Sequence, residues 1–364
     1  MTSAGDAEGA GIRCMLMRGG TSKGAYFLSS DLPQDNVERD DLLLRIMGSP
    51  DRRQIDGIGG GHPLTSKVAV ISPSTDAHAD VDYLFLQVQV DAPVVSDQQT
   101  CGNLLAGVGP FAIERGLIPV AGELTQVRIR VMNGATSTAT ALVHTPHGRV
   151  SYSGDVFISG APFPAAAVPL EFPRASTALL PTGHVRDTFA GVDVTCVNAG
   201  MPVVLLLASD LGVTGYESPE ELEANSALAE HLEQVRLLAG TAMGLGDVTD
   251  ATVPKMSLIA RPRSGGAIST RTFIPKRVHT SIGVVGAISV AAGAQVPGAV
   301  GFDLLDKVHT SKVRIEHPTG FFDVDVDIEA AGATYNVKRS AVIRTARKLF
   351  DGHVWPRDPE GESA

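Results

Sequence analysis

Cysteine is rare in this sequence, and long apolar runs are missing. The three cysteines, Cys14, Cys101 and Cys196, are widely separated without CxxC spacing, which predicts neither a disulfide framework nor a zinc site. The apolar run at residues 202–208 is far shorter than the roughly 20 residues that span a membrane. Residues 1–11 are small and polar, without the apolar core of a signal peptide. We therefore expect a cytoplasmic protein.

Lysine and arginine are fewer than aspartate and glutamate, 30 against 40, and aromatic residues make up only 5% of the chain. A net charge of −10 argues against non-specific binding to nucleic acid or to an anionic membrane. The 364 residues suit two domains, with 43% hydrophobic and 19% charged residues, as in globular proteins. The 39 glycines and 22 prolines predict many turns and short strands. A homo-oligomer is compatible with this composition.

The chain carries a weak internal repeat. Residues 18–32 resemble residues 198–211, and the Ser-Asp-Leu sequences that end both segments lie 179 positions apart. Residues 65–73 resemble 253–262 in the same order. A third echo links 101–115 with 280–293. Three echoes in one order indicate a duplication, which predicts two similar halves.

Local patterns suggest what each half contains. Residues 127–131 and 322–328 alternate with period two, as half-buried strands do. Residues 104–113 and 282–292 are apolar almost all round, which is typical of a buried helix. A capping box at Ser218 begins another helix with an apolar face.

These patterns predict an α+β protein with two pseudo-symmetric lobes and a cleft between them. Each lobe is expected to be a rolled sheet around a central helix. We place the lobes at 12–184 and 185–350, followed by a tail at 351–364.

Lys67 is the first candidate for acid–base chemistry. It follows a glycine-rich stretch at 57–62 and begins an apolar strand. The GxxxxGK[ST] spacing of a nucleotide loop is absent around Lys67 and Lys23, so the glycines indicate backbone that passes close to another group. A lysine at the mouth of an apolar cleft has its pKa lowered by desolvation and can act as a base. The alternative is an exposed lysine at a strand edge.

Cys101 is the second candidate. It precedes Gly102, Asn103 and the first apolar helix, which places a thiol at a helix N-terminus. Free N–H groups and the helix dipole favour anions there and lower the pKa of a thiol. The amides of Gly102 and Asn103 would form a cup for a substrate carboxylate or an enolate oxygen. The alternative is a small buried hydrophobic residue.

Further candidates lie in loops. Residues 18–24 (RGGTSKG) combine small residues, hydroxyls and two cations, which is typical of a loop over an anion. In the second half, Arg277 suits bidentate binding of a carboxylate. The aspartates of residues 323–327 lack the turn glycine of a calcium loop, and we expect no metal there. The predicted substrate-binding residues are Arg18, Gly20, Thr21, Ser22, Ser66, Gly102, Asn103, Lys255, Arg277, His279 and Ser281.

Four segments resemble the PrpF family, which includes aconitate and methylitaconate isomerases and oxalomesaconate tautomerases or Δ-isomerases. They are MRGGTSKG at 17–24, GGHPLTSK at 60–67, CGN at 101–103 and RTAR at 344–347. The resemblance covers residues 12–350 and is strongest to the oxalomesaconate enzymes of gallate and protocatechuate catabolism. It implies a diaminopimelate epimerase-like fold and places the family's catalytic lysine and cysteine on Lys67 and Cys101.

One departure from the wider superfamily is informative. Its racemases and epimerases use two facing cysteines, whereas the position here that corresponds to Cys101 lies near Thr280. One thiol and one amine suit a proton removed at one carbon and delivered at another. We expect Lys67 to remove the proton and either Lys67 or Cys101 to return it, without a cofactor. The resemblance implies an isomerase that moves a proton and a C=C bond of an unsaturated di- or tricarboxylate, with 4-oxalomesaconate as the expected substrate. The alternatives are an aconitate or 3-methylitaconate isomerase and a non-enzymatic carboxylate-binding protein.

Overall fold

The chain forms two units. The computed structural model describes residues 11–98, 100–133, 137–173, 178–249, 251–274, 277–305, 311–332 and 334–359. Unit 1 consists of Met1–Phe157, Ala161–Leu170 and Arg344–Ala364, and unit 2 of Ile158–Gly160 and Glu171–Ile343. The lobes predicted from the repeat differ from these units at their boundaries. Residues 158–160 and 171–184 belong to unit 2 and not to the first half, and the chain rejoins unit 1 at Arg344. Residues 1–10, in the segment predicted to lack a signal peptide, and 360–364 of the predicted tail lie outside the described residues.

The first eight strands build most of unit 1. They are β1 (Ile12–Gly19), β2 (Ser22–Leu28), β3 (Lys67–Pro73), β4 (Val81–Val88), β5 (Val95–Ser96), β6 (Leu124–Val131), β7 (Ser137–His144) and β8 (Ala167–Phe172). β1 pairs with β2 antiparallel, β2 with β3 parallel, and β3 with β4 antiparallel. β4 then pairs with β6 parallel, and β6 with β7 antiparallel.

The remaining strands repeat this order of directions in unit 2. They are β9 (Asp187–Phe189), β10 (Val192–Asn198), β11 (Pro202–Leu207), β12 (Lys255–Ala260), β13 (Ile268–Ile274), β14 (Arg277–Val278), β15 (Lys312–His317), β16 (Gly320–Ala331) and β17 (Thr334–Val354). β10 to β13 pair antiparallel, parallel and antiparallel, and β13, β15 and β16 follow as parallel and antiparallel pairs. The same order of strand directions therefore occurs in both units.

Strand β17 contributes to both units. Its first part, up to Val342, pairs antiparallel with β16. Its last part, from Ala346 to Val354, pairs antiparallel with β1. The first residues of the predicted tail are therefore paired strand residues.

Two helices are apolar on every side, as predicted. Helix α2 (Gly102–Glu114) packs against β1, β2, β3, β4, β6 and β7. Its residues from Leu104 to Ile113 are all buried, including Pro110 inside the helix. The later helix α5 (Val284–Ala294) packs against β10, β11, β15 and β16. An all-round apolar sequence forms a buried helix because no face of it is stable in water.

The other helices show how local signals set their ends. Helix α1 (Asn36–Met47) begins at Asp35, whose side chain accepts two backbone N–H groups, and ends at Gly48 with φ of 81°. Ser218 forms the predicted capping box of α3 (Pro219–Glu223). The single helix expected behind it is divided, because Asn225 caps a new helix, α4 (Ser226–Ala242). Within the described ranges, no helix combines the length and the apolarity needed to cross a membrane.

Candidate functional site

Lys67 is the first residue of β3, where the chain leaves the glycine-rich segment and enters the sheet. It pairs with Gly24 on one side and with Gln87 on the other, so strands flank it on both sides. Only 7% of Lys67 is exposed. Its Nζ donates a hydrogen bond of 2.7 Å to Oε1 of Gln87 and lies 4.9 Å from the centroid of the Phe85 ring. The structure thus gives this lysine a buried, oriented amine.

Burial lowers the pKa of Lys67 from its ordinary value, because the ammonium loses its contact with water. The charge of Cys101 acts in the opposite direction and raises that pKa. The thiol and the amine are therefore within electrostatic reach of one another. A lysine with a lowered pKa supplies the neutral amine of a general base closer to neutral pH than an exposed lysine does.

Cys101 occupies the N-cap position of α2, and its side chain makes no capping hydrogen bond. It is 9% exposed, and its carbonyl oxygen accepts a hydrogen bond of 3.1 Å from the hydroxyl of Tyr83. The N–H groups of a first helical turn lack intrahelical acceptors and attract negative charge. The amides of Gly102 and Asn103 belong to that turn. The thiol and both amides therefore meet at one electropositive helix end.

The turn between β1 and β2 packs directly on this helix end. A Cβ on Gly19 would stand 2.5 Å from the carbonyl oxygen of Asn103, and one on Gly20 would stand 2.2 Å from Asn103 Oδ1. Gly20 also has a φ of +52°, which glycine adopts without strain. Asn103 Nδ2 donates a hydrogen bond of 3.1 Å to Thr21 Oγ1. The structure therefore brings two of the predicted segments together: Gly20 and Thr21 of the turn contact Asn103 at the start of α2.

Arg18 and Ser22 flank this turn in different ways. Nη1 of Arg18 donates to the carbonyl oxygen of Gly20 at 2.7 Å and to Thr345 Oγ1 at 2.9 Å. These bonds tie the turn to β17, so in this structure Arg18 positions the loop. The buried hydroxyl of Ser22, in contrast, has no hydrogen-bond partner among the described residues. Ser22 therefore has a polar group that is uncommitted within the protein.

Ser66 belongs to a hydrogen-bond network that secures the glycine-rich segment. Nε2 of Gln54 donates to Ser66 Oγ at 2.7 Å and to Ser49 Oγ at 3.0 Å. Oε1 of Gln54 accepts the N–H of Gly61 at 2.9 Å. Ser66 is fully buried, and its contacts fix the backbone beside Lys67. Its predicted contact with substrate stays a prediction.

Four polar residues around this site were missed by the sequence argument. They are Tyr26, Gln54, Tyr83 and Gln87. The hydroxyl of Tyr26 donates to the carbonyl oxygen of Leu104 at 2.6 Å and, with Tyr83, anchors the start of α2. Burial raises the pKa of both tyrosines well above the ordinary value, so both remain neutral donors. The period-two pattern of a strand predicts which face of the sheet such a side chain occupies, but it does not predict its hydrogen-bond partner.

Unit 2 assembles a second group of predicted residues. Lys255 is the first residue of β12, the counterpart of β3 in the repeated strand order. Burial lowers its pKa to about 8, and the positive charge of Arg236 adds to this effect. Burial and the charge of Lys255 lower the pKa of His279, whose Nδ1 accepts the N–H of Ser281 at 2.9 Å. Lys255, His279 and Ser281 therefore lie in one region of unit 2.

Arg277 lies at the surface of unit 2. Its side chain is 82% exposed, and its Nε lies 3.0 Å from a carboxylate oxygen of Glu223. The guanidinium thus already pairs with a protein carboxylate, and its contact with substrate stays a prediction.

A cavity of about 300 Å³ also lies in unit 2. Its wall includes Tyr216, Arg263, Arg271 and His317, and none of the predicted binding residues is among its lining residues. The guanidinium of Arg263 stacks on the ring of Tyr216, 3.3 Å from its centroid.

Within the described part of the chain, no group of three or more His, Cys, Asp or Glu side chains is arranged to hold a metal ion. The aspartates of β16 are instead engaged with arginines. Asp323 pairs with Arg314, and Asp325 pairs with Arg339. These side chains neutralise one another across neighbouring strands.

The chain matches the PrpF protein family over residues 10–357. It belongs to the PrpF family. It is 51% identical to the (4E)-oxalomesaconate Delta-isomerase of Novosphingobium sp. (strain KA1), over 94% of this chain and 96% of the relative. It is 53% identical to the 4-oxalomesaconate tautomerase of Pseudomonas putida, over 94% of this chain and 95% of the relative.

A solved structure, the crystal structure of methylitaconate-delta-isomerase, has the same fold as this PrpF protein. The two superpose with a TM-score of 0.83 at 32% sequence identity, over 98% of this chain and 99% of that one. The PrpF protein is an isomerase, as these relatives are.

Proposed function

We propose that this PrpF protein isomerises 4-oxalomesaconate, an unsaturated tricarboxylate, by moving a proton and the adjacent C=C bond. The observation that carries the proposal is a buried lysine with a lowered pKa, within electrostatic reach of a thiol at a helix N-terminus. This pair occurs in a chain that is more than half identical to two oxalomesaconate enzymes along almost its whole length. The substrate of those relatives is therefore the first candidate here.

The architecture proposed for this activity is diaminopimelate epimerase-like. We infer that the two units are matching lobes, each a rolled sheet around a central helix. The repeated order of strand pairing supports the match between the units. The many strands that pack against α2 and α5 support the central position of these helices.

In the proposed reaction, the neutral amine of Lys67 removes a proton from a carbon activated through the neighbouring double bond. The C–H electron pair forms the new C=C bond, and the electrons of the old C=C bond shift into a bond to the carbonyl or carboxylate carbon. The π electrons of that C=O bond move onto its oxygen, which gives a dienolate. N–H groups at the start of α2 stabilise that oxygen, which is usually the largest contribution to catalysis. Reprotonation two carbons away, by Lys67 or by Cys101, completes the shift. The step transfers no electron to another molecule.

The substrate carboxylates are proposed to contact the turn between β1 and β2. Ser22 is the best-supported contact there, because its buried hydroxyl lacks a partner among the described residues. Gly20 and Thr21 lie beside it against Asn103. In unit 2, Lys255 and His279 remain proposed substrate contacts. At neutral pH, a lysine with a pKa of about 8 keeps most of its positive charge and can bind a carboxylate.

The test follows solvent deuterium into 4-oxalomesaconate, trans-aconitate and 3-methylitaconate by NMR. We expect turnover and deuterium incorporation with 4-oxalomesaconate. Lys67→Met should lose all but about a hundredth of that rate while remaining folded by circular dichroism, because a general base contributes about 10²–10⁴-fold. A variant that keeps more than a tenth of the rate would contradict this role of Lys67.

A second candidate is 3-methylitaconate isomerisation, favoured by the likeness to the solved methylitaconate-delta-isomerase. The identity to that structure is 32%, against 51% and 53% for the oxalomesaconate enzymes. Turnover of 3-methylitaconate alone would select this candidate. Binding of the compounds without exchange or turnover would instead indicate a carboxylate-binding protein.

A further inference from the structure

Gln87 faces Lys67 across the pair of strands β3 and β4. The two residues are direct partners in the antiparallel register, so their side chains lie on the same face of the sheet. Oε1 of Gln87 accepts a hydrogen bond of 2.7 Å from Lys67 Nζ. The contact therefore arises from strand register, which fixes both ends of it.

The amide of Gln87 is held in one orientation. Its Nε2 donates to the carbonyl oxygens of Ser66 at 2.8 Å, Pro63 at 3.2 Å and Val88 at 3.4 Å. A flipped amide would set Oε1 against these carbonyl oxygens and Nε2 against the amine of Lys67. Both contacts would be unfavourable, because an acceptor would face acceptors and a donor would face a donor. The carbonyl end is thus directed at Lys67.

A fixed acceptor determines where the lone pair of an amine points. A neutral lysine has two N–H donors and one lone pair. When one N–H is directed at Gln87 and the Phe85 ring lies beside the amine, the directions left to the lone pair are restricted. We propose that Gln87 is a positioning residue that orients the amine of Lys67 for proton transfer. This inference rests on the proposed role of Lys67 as the base.

The chemical type of Gln87 matters as well as its position. Phe85 and Gln87, which face the amine from β4, carry no charge, and the titratable group that acts on the pKa of Lys67 is Cys101 at the start of α2. A carboxylate in place of the amide would stabilise the ammonium and raise the pKa of Lys67. An apolar side chain would remove a hydrogen-bond acceptor of the ammonium and so lower the pKa of Lys67. A glutamine keeps the bond without adding a charge.

The experiment compares Gln87→Glu and Gln87→Met in the full-length chain. The readouts are the pH dependence of kcat/KM and the pKa of Lys67, followed by NMR of lysine labelled with ¹³C at Cε. The Lys67 signal is assigned by its absence in Lys67→Met. Gln89→Met is the matched control, since this exposed glutamine lies two residues further along the chain. Thermal unfolding of each variant measures the loss of the amide's contacts with the loop before β3.

We expect the two substitutions to move the acid limb of the pH profile in opposite directions. Gln87→Glu should move it to higher pH by on the order of one unit, because the added charge raises the pKa of Lys67. Gln87→Met should move it to lower pH and reduce kcat about tenfold or more, with little change in KM. The control should match the wild type.

Other outcomes would overturn the inference. An unchanged acid limb and kcat in Gln87→Met, or a shift in the same direction in both variants, would show that Gln87 has only a structural role. If the wild type turned over none of the three compounds, the proposed function would fail by itself. The NMR titration needs no substrate, so an unchanged Lys67 pKa in both Gln87 variants would still refute the inference.

Discussion

The three thiols of this chain differ in surroundings, and that difference decides which of them is chemically useful. Burial raises the pKa of Cys14 to about 12 and the pKa of Cys196 to about 12. Neither thiol forms a thiolate at neutral pH. Cys101 lies instead at the start of a helix, where free N–H groups stabilise negative charge. The corresponding helix of unit 2, α5, is capped by Gly283 and has no such thiol.

The first prediction concerns the role of Cys101 as proton donor. Cys101→Ser should keep the geometry but lower kcat about a hundredfold, because a hydroxyl is a much weaker acid than a thiol at a helix N-terminus. Steady-state kinetics on 4-oxalomesaconate measure the effect. Cys196→Ala is the control, and it should reduce stability while leaving kcat unchanged, since Cys196 lies in the core of unit 2.

An unchanged kcat in Cys101→Ser would assign both proton transfers to Lys67. That outcome has its own signature in substrate labelled with deuterium at the reacting carbon. Part of the deuterium would then reappear in the product, because one base that takes and returns a proton exchanges only partly with solvent. Complete loss of the label to solvent would contradict a single shielded base.

At the scale of elements, the site depends on the contact between a turn and a helix end. Gly19 and Gly20 allow the turn between β1 and β2 to touch the first turn of α2. Tyr26 and Tyr83 also hold the start of this helix, through hydrogen bonds to the carbonyl oxygens of Leu104 and Cys101. The position of the amides therefore depends on strands from distant parts of the sequence.

The second prediction tests this contact with Gly20→Ala. The added methyl group would displace the side chain of Asn103 and break its bond to Thr21, so we expect kcat/KM to fall about tenfold or more. Gly116→Ala is the control at the other end of α2, because Gly116 has a φ of +74° and no atom within 4 Å of a Cβ. Both variants should lose about 1 kcal/mol of stability from backbone strain.

Urea denaturation and steady-state kinetics separate the two effects of these glycine variants. If Gly116→Ala lost as much activity as Gly20→Ala, general destabilisation would explain both. An active Gly20→Ala enzyme would show that the Asn103 side chain has no part in the reaction.

At the scale of the whole molecule, the same strand order surrounds two lysines with different neighbours. Lys67 and Lys255 each begin the third strand of a repeated set. Lys67 donates a hydrogen bond to a neutral amide, whereas the positive charge of the buried Arg236 guanidinium lowers the pKa of Lys255. That guanidinium is bound by Glu233 and by carbonyl oxygens such as that of Val253. Two lysines at the same position in the repeated strand order therefore have pKa values that are set by different neighbours.

The third prediction follows from the pKa of Lys255, which is about 8 in the folded protein against an ordinary 10.5. Between these values the unfolded chain binds more protons than the folded chain, so stability rises with pH. At pH 7 both states are protonated, and folding must desolvate a charge. We expect Lys255→Met to raise the free energy of unfolding at pH 7 by about 1 kcal/mol, allowing for partial exposure.

Urea denaturation at pH 7 and pH 10 checks this linkage. The wild type should gain stability over that interval relative to Lys255→Met. The exposed Lys338 provides the control, and Lys338→Met should follow the wild type. The same pH dependence in Lys255→Met and in the wild type would refute the linkage.

The sequence by itself determined the features that depend on neighbouring residues. The apolar helices α2 and α5 follow from segments without a polar face, and α1 ends where Gly48 adopts a left-handed conformation. The place of Lys67 at the start of a strand and of Cys101 before a helix could also be predicted. Short-range patterns encode such features because periodicity and capping act within a few residues.

The tertiary structure alone decided which side chains meet. Arg18 bonds to Thr345, 327 positions away, and its guanidinium holds a loop that the sequence assigned to substrate binding. Gln87 reaches Lys67 only because the register of β3 and β4 makes them partners. Strand register and chain crossing bring together residues that are distant in the sequence, and a period-two pattern specifies a face of the strand without naming the partner across it.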